Sequence, residues 1–327
     1  MHVLVLNKSD IAQLLPMRDC IDVMADALGT LARGDAVLPL RQVLRLPDSN
    51  NAFAVMPAYL GAPKAVGTKV ITVFPDNHGT ALDSHQGAVL LFEAEHGSLV
   101  AIMDASSITA IRTAAVSGLA THLLAKKTAG DVAILGTGVQ ARTHLEAMRA
   151  VRPVRRVRVW SRHADAVRAF AQRESRRHNV EVEPVGSPRE AVDGADIVCT
   201  VTASRDPVLA GEWLAEGAHV NAVGASLPVA RELDTPAVTR GRLYVDRRES
   251  ALNEAGDFLI PKRDGAIGDD HIVGELGDVL LGRASGRRTE AEVTIFKSLG
   301  LAVEDVAAAR FLYERATAAG SGTRVEL

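Results

Sequence analysis

At 327 residues the chain is longer than one hydrophobic core usually fills, and a composition of 47% hydrophobic and 24% charged residues suits compact folding rather than disorder. A formal charge of -3 supplies no overall positive field, so neither nucleic acid nor an anionic membrane is expected as a partner, and any anion site must be local. The two cysteines, Cys20 and Cys199, lie far apart without companions at metal-ligand spacing, so buried thiols are expected and neither a disulfide nor a metal.

In chain order, MHVLVLNKSD reads as a short strand entering a helix capped by Ser9 or Asp10. It has neither the basic start nor the long apolar stretch of a secretion signal, and no apolar run approaches the roughly 20 residues of a bilayer span, so cytoplasmic residence is expected. Residues 17–33 carry Ile21, Met24, Ala25, Leu28 and Leu31 at helical spacing, with Gly34 as a stop. Strands are expected at 41–46, 52–57, 66–74, 86–93 and 98–103. With no helices between them, they predict a mixed or antiparallel sheet.

From Ser107 the pattern changes. ITAIRTAAVSGLATHLLA predicts one long helix leading into a second domain. Strands at 131–135, 157–161, 181–185, 196–202, 218–223 and 242–246 then alternate with helical stretches, which predicts a doubly wound parallel sheet. A last helix at 301–319 is expected to fold back on the first domain. The expected class is therefore α/β: a Rossmann domain at 119–300 beside a discontinuous α+β domain of 1–118 and 301–327.

DVAILGTGVQARTHLEAM carries the sharpest chemical signal. Gly136 permits a tight turn after the strand, Gly138 lets backbone approach a pyrophosphate, and Ala141 allows close helix packing; the helix N-terminus offers N–H groups to the phosphates. The bare GxGxxA pattern is weak, but its place between a strand and a helix makes it a dinucleotide site. At the tip of the next strand stand Ser161, Arg162 and His163, with no acid before Asp165. An acid there would serve the ribose of NAD, so the preference is for NADP(H), with NAD(H) still possible. Arg152, Arg155, Arg156 and Arg158 fit a solvated basic edge at least as well as a cofactor role.

In the first domain Arg41, Lys69 and Arg112 are cations set in apolar stretches, a placement more often structural than functional when taken singly. VMPAY at 55–59, TKVITVF at 68–74, SHQ at 84–86, LLFE at 90–93, MDASSITAIRTAA at 103–115, LGTGVQA at 135–141, NAVGAS at 221–226 with Pro228 and REL, YVD at 244–246 and TIFKSLG at 294–300 together resemble the ornithine cyclodeaminase and mu-crystallin family, in the same order over most of the chain.

That resemblance implies a homodimer whose first domain holds the substrate and the dimer contacts. It implies that Arg41 and Arg112 hold a carboxylate, with Met56, Lys69 and Gly300 at the substrate. Gln86, Arg112, Thr113, Val139, Gln140, Thr202, Val223 and Leu299 are implied at the dinucleotide. The residue chemistry agrees, since a guanidinium fork matches a carboxylate and cannot be titrated away. Where the family's cyclodeaminases place a catalytic aspartate this chain has Ser226, which points instead to NAD(P)H-dependent reduction of cyclic ketimines with Lys69 and Ser226 as catalytic residues. An ornithine cyclodeaminase, an alanine dehydrogenase and a non-catalytic NADPH-binding protein are the alternatives. The reading requires Arg41, Lys69 and Arg112 not to be consumed by internal acids. His85, inside SHQ, is a candidate for the site; His78 and His96 are expected in solvated turns, and Trp160 and Trp213 in packing roles.

Overall fold

The computed structural model describes residues 2–77, 80 and 82–327, and His78 lies outside them. The described residues form sixteen strands: β1 (His2–Leu6), β2 (Ala36–Val37), β3 (Gln42–Arg45), β4 (Ala52–Gly61), β5 (Lys64–Val73), β6 (His85–Phe92), β7 (Leu99–Asp104), β8 (Asp131–Leu135), β9 (Arg156–Trp160), β10 (Val182–Pro184), β11 (Ile197–Thr200), β12 (His219–Ala222), β13 (Arg242–Val245), β14 (Ile272–Glu275), β15 (Thr294–Lys297) and β16 (Thr323–Glu326). They divide between two compact units, Met1–Arg112 with Gly300–Leu327 and Thr113–Leu299. The division falls inside the single helix Ala105–Leu124.

In the first unit the sheet runs β16-β1-β7-β6-β5-β4-β2, with β3 also paired to β4. All of its pairs are antiparallel except β1 with β7. Helices Met17–Arg33 and Ala302–Ala319 pack together, and the second lies against β4, β5 and β6. The first of them buries Cys20, Ile21, Met24 and Leu28 at helical spacing and stops at Gly34, whose φ of 86° is the left-handed conformation glycine tolerates. The helix Lys8–Leu14 corrects one expectation: its cap is Asn7, whose side chain accepts from Ser9 and Asp10 N–H groups while Asp10 accepts from Asn7 in return. Asp10 thus completes a capping box from the third helical position.

The second unit's sheet runs β10-β9-β8-β11-β12-β15-β13-β14 and is parallel throughout. Its strands are buried on both faces, which is why they read as unbroken apolar runs rather than alternating ones. Ala133, Val198, Val220, Phe258 and Ile295 belong to one core cluster, with Trp160 and Trp213 packed at its margin. Strand order reverses between β8 and β11, so the carboxyl ends of these neighbours open the crevice where doubly wound sheets take their ligands. The chain is thus an α/β protein with a Rossmann-type parallel sheet in one unit and a mixed sheet with helices in the other.

Candidate active site

Strand pairing in the first unit sets Met56 directly across from Lys69, and both are buried. Lys69 Nζ lies 2.6 Å from Asp305 Oδ2. The other oxygen of Asp305 accepts from Arg112 Nε at 2.9 Å, and Glu304 accepts from Arg112 Nη1 at 2.8 Å. Arg41, half-buried, donates to the Gly300 carbonyl at 3.1 Å. Gly300 has a φ of +76°, and a Cβ there would fall 2.4 Å from Arg112 Nη1, so only glycine lets the guanidinium sit where it does. Arg41, Lys69, Arg112 and Gly300 are therefore brought into one cluster, with Met56 on the strand beside it.

The expectation that internal acids would not consume these cations is corrected. Lys69 and Arg112 are tied to Asp305 and Glu304, all four at most 4% exposed. The reason is desolvation: an uncompensated buried charge costs several kcal/mol, so a buried lysine and arginine require acids within reach. Lys69 and Arg112 are held directly by the two carboxylates, and Arg41 joins them through the Gly300 carbonyl. Burial is the main force lowering the Lys69 pKa, to about 8; Asp305 opposes it, and Arg112 and then Arg41 add to the fall. Burial would raise Asp305, but Arg112 and Lys69 outweigh it and hold the carboxyl below its ordinary range. The His85 imidazole is lowered by desolvation and then by the Lys69 charge, which ties it electrostatically to the cluster. Gln86 and Gly87 beside it are exposed, and His96 is an exposed turn residue near Glu93.

In the second unit the turn after β8 has the shape its glycines suggest. Gly136 adopts a φ of +128°, and a Cβ there would lie 2.7 Å from the Val201 carbonyl. Nothing stands within 4 Å of a Cβ built on Gly138, the N-cap of helix Val139–Val151, and no side chain caps that helix. Its first-turn N–H groups at Val139 and Gln140 receive no side-chain cap, and the buried Gln140 Oε1 has no hydrogen-bond partner among the described residues. An uncapped helix N-terminus over an open glycine edge fits a dinucleotide pyrophosphate.

At the β9 tip Ser161 accepts from Thr137 Oγ1 at 3.3 Å, while Arg162 and His163 are exposed. Of the neighbouring arginines, Arg155 and Arg156 form an exposed edge, whereas Arg152 and Arg158 are buried and structural. Buried Arg152 donates to the carbonyls of Thr121, His122, Ala125 and Lys126, and buried Arg158 to that of Glu190. Arg155 and Arg156 pair with Asp131, Asp196 and Glu183.

Beyond the carboxyl ends of β11 and β12 lie Thr202, Val223 and the exposed Ser226. Beneath them sits a second buried ionic group that sequence reasoning missed. Glu232 accepts from Thr200 Oγ1, Thr202 N, Thr202 Oγ1 and Gly224 N at 2.6–2.7 Å. Asp257 accepts from the N–H groups of Glu232 and Leu233 and lies 2.8 Å from Lys297 Nζ. Burial, and then Asp257, push Glu232 up from the usual carboxylate range. Leu299 N donates to Asp246 Oδ2 at 2.6 Å, which anchors the end of the TIFKSLG segment. Thr113, on helix Ala105–Leu124, is buried.

Among the described residues no three His, Cys, Asp or Glu side chains are grouped to hold a metal ion, and no helix is long and apolar enough to cross a membrane. Residues 1–320 match the model of the ornithine cyclodeaminase/mu-crystallin family. The mouse ketimine reductase mu-crystallin is 43% identical over 281 residues, 86% of each chain. A Bacillus cereus Delta(1)-pyrroline-2-carboxylate reductase is 36% identical over 99% of this chain and 100% of its own. The solved Thermococcus litoralis Delta(1)-pyrroline-2-carboxylate reductase, in complex with NADH and L-proline, superposes with a TM-score of 0.97 at 38% identity, covering 99% of this chain and 100% of that one. The chain belongs to the ornithine cyclodeaminase/mu-crystallin family.

Proposed function

We propose that this protein is an NAD(P)H-dependent reductase of cyclic ketimine carboxylates, converting 1-piperideine-2-carboxylate or 1-pyrroline-2-carboxylate to the corresponding cyclic L-amino acid. The observation that carries this reading is the convergence of the half-buried Arg41 and the buried Lys69 and Arg112 on Gly300, Glu304 and Asp305 in one cluster. The names of its relatives support the same reaction.

In the first unit Arg41 takes the substrate carboxylate together with Arg112, whose plane is locked by Glu304 and Asp305 and so needs no reordering on binding. Met56 and Gly300 line the same cluster. Reduction adds a hydride to the imine carbon and leaves a proton on the ring nitrogen. Lys69 supplies that proton: its ammonium, lowered to about 8 and shielded from water, is an acid matched to neutral pH. Ser226 stands where a cyclodeaminase needs a carboxylate; a serine hydroxyl can hydrogen-bond the ring nitrogen or a water but cannot act as a general base at neutral pH.

In the second unit the N–H groups of Val139 and Gln140 hold the pyrophosphate, with Gly136 and Gly138 giving it room. Thr202, Val223 and Leu299 serve the nicotinamide half and Ser161, Arg162 and His163 the ribose, and the family resemblance adds Gln86, Arg112 and Thr113 to the dinucleotide contacts. When bound, the dinucleotide supplies the hydride through C4 of its nicotinamide. NADPH is the preferred form because the β9 tip offers a hydroxyl and a guanidinium and no acid. Cytoplasmic residence and a homodimer belong to the same reading.

The test is to follow NADPH and NADH oxidation with both imine carboxylates, beside an assay for ammonia release from L-ornithine and one for pyruvate with ammonium. Reduction of either imine without ammonium is the expected result. Ornithine deamination, strict dependence on ammonium, or tight NADPH binding without turnover would each overturn it.

A further inference from the structure

Four hydrogen bonds converge on the carboxylate of Glu232, and each oxygen receives one backbone N–H and one threonine hydroxyl. Oε1 takes Thr202 N at 2.6 Å and Thr202 Oγ1 at 2.7 Å; Oε2 takes Gly224 N and Thr200 Oγ1, both at 2.7 Å. Thr200 ends β11, and Gly224 lies two residues beyond the end of β12. One side chain thus ties together the two turns that follow neighbouring parallel strands.

Glu232 is itself held from behind. Its N–H and that of Leu233 donate to Asp257 Oδ1, its carbonyl accepts from Val208 and Leu209, and Asp257 pairs with Lys297. The fit is tight enough that a Cβ on Gly224 would fall 2.1 Å from the Thr202 carbonyl and 2.6 Å from Glu232 Oε1.

Such an arrangement is a costly way to stabilise a core, since apolar residues of similar volume commonly serve as well as a buried ion group. What it achieves is geometric. Thr202 and Gly224 stand on the crevice side of the sheet, in the second of the two mononucleotide halves, the half opposite the one headed by the glycine turn after β8.

We propose that Glu232 is a positioning residue for the nicotinamide half of the dinucleotide, fixing the turns at Thr202 and Val223–Gly224 in their binding conformation. This inference rests on the dinucleotide reading above. Glutamine does not substitute for it: whichever oxygen becomes an NH2 group then faces a backbone N–H, from Thr202 or from Gly224, with no acceptor between them.

The experiment measures the Kd of NADH by fluorescence titration and that of ADP, which fills only the adenosine half, for the wild-type protein, Glu232→Gln and Thr200→Val. Thr200→Val keeps the side-chain shape and removes a single donor to Glu232, and each variant's thermal melt shows that it is folded. Glu232→Gln is expected to weaken NADH at least tenfold and Thr200→Val about threefold, with ADP changed less than twofold in both. Equal losses for NADH and ADP would mean a general structural role and overturn the proposal, as would a folded Glu232→Gln that binds NADH normally. If Glu232→Gln does not fold, Thr200→Val decides alone, and unchanged NADH binding overturns the proposal. Wild-type protein that binds neither NADH nor NADPH would sink the dinucleotide reading itself, a result separable from both.

Discussion

Two buried ionic groups, one in each unit, solve opposite problems. In the first unit three cations, Arg41, Lys69 and Arg112, gather with two carboxylates, Glu304 and Asp305. In the second, Glu232 and Asp257 face one lysine, Lys297, and the excess is negative. Burial moves the key group of each towards neutrality, Lys69 down to about 8 and Glu232 upwards. In the proposed reaction the first cluster gives a proton and attracts an anion. The second accepts hydrogen bonds from backbone and hydroxyl donors and holds loops still. The contrast separates a buried lysine whose partner is a carboxylate, with its pKa left near neutrality, from a buried carboxylate whose partners are the chain's own amides and hydroxyls.

If that division is right, the two groups separate under mutation. The largest effect is expected from Lys69→Met, a loss of roughly 10²–10⁴ in kcat with the NADH Kd within twofold of wild type, measured by stopped-flow turnover and fluorescence titration. A comparable loss of NADH affinity would erase the distinction.

Next is Asp305→Asn. Lys69 must be protonated to donate, so activity falls as pH rises through about 8; Asp305 is the group that raises the Lys69 pKa, so its removal moves the alkaline limb of the kcat/KM profile to lower pH. We expect that shift together with a loss of about tenfold to a hundredfold at pH 7.5, and a lower Tm because one partner of a buried pair is gone. An unmoved limb would exclude Asp305 from control of the proton.

Arg41→Lys keeps the charge and loses the fork. It should raise the KM for the imine carboxylate about tenfold, some 1.4 kcal/mol, with kcat little changed. The smallest effect sharpens the other side of the comparison. Arg162 is exposed at the β9 tip, so Arg162→Ala should weaken NADPH severalfold and leave NADH nearly untouched, as paired KM measurements would show.

The parallel sheet and its glycine turn were legible because their signals are local: an apolar strand, two glycines and a helix within eighteen residues. Arg41, Lys69 and Arg112 were legible only together, through the family resemblance. Glu304 and Asp305 were not, because acids in the first turn of the helix Ala302–Ala319 are what any helix N-terminus favours. Their setting in LAVEDVAAA, apolar on both sides, was the available clue. Glu232 stands in the REL segment, but the groups it serves lie up to 32 residues away, beyond any periodicity. β15 carries part of the TIFKSLG motif yet inserts between β12 and β13, an order the run of sequence does not announce. Of the four arginines around β9, Arg155 and Arg156 lie at the exposed edge as expected, while Arg152 and Arg158 are buried because they cap carbonyls that no local pattern announces.

The acids that balance Lys69 and Arg112 reside on a helix that follows the entire second unit in the chain, and β16, which borders β1, comes later still. A ribosome adding roughly 5–20 residues per second emits residues 113–299 over about 10–40 s. Throughout that interval the first 112 residues wait for Glu304, Asp305 and β16, so the Lys69–Asp305 and Arg112–Glu304 pairs close only after the second unit has been made.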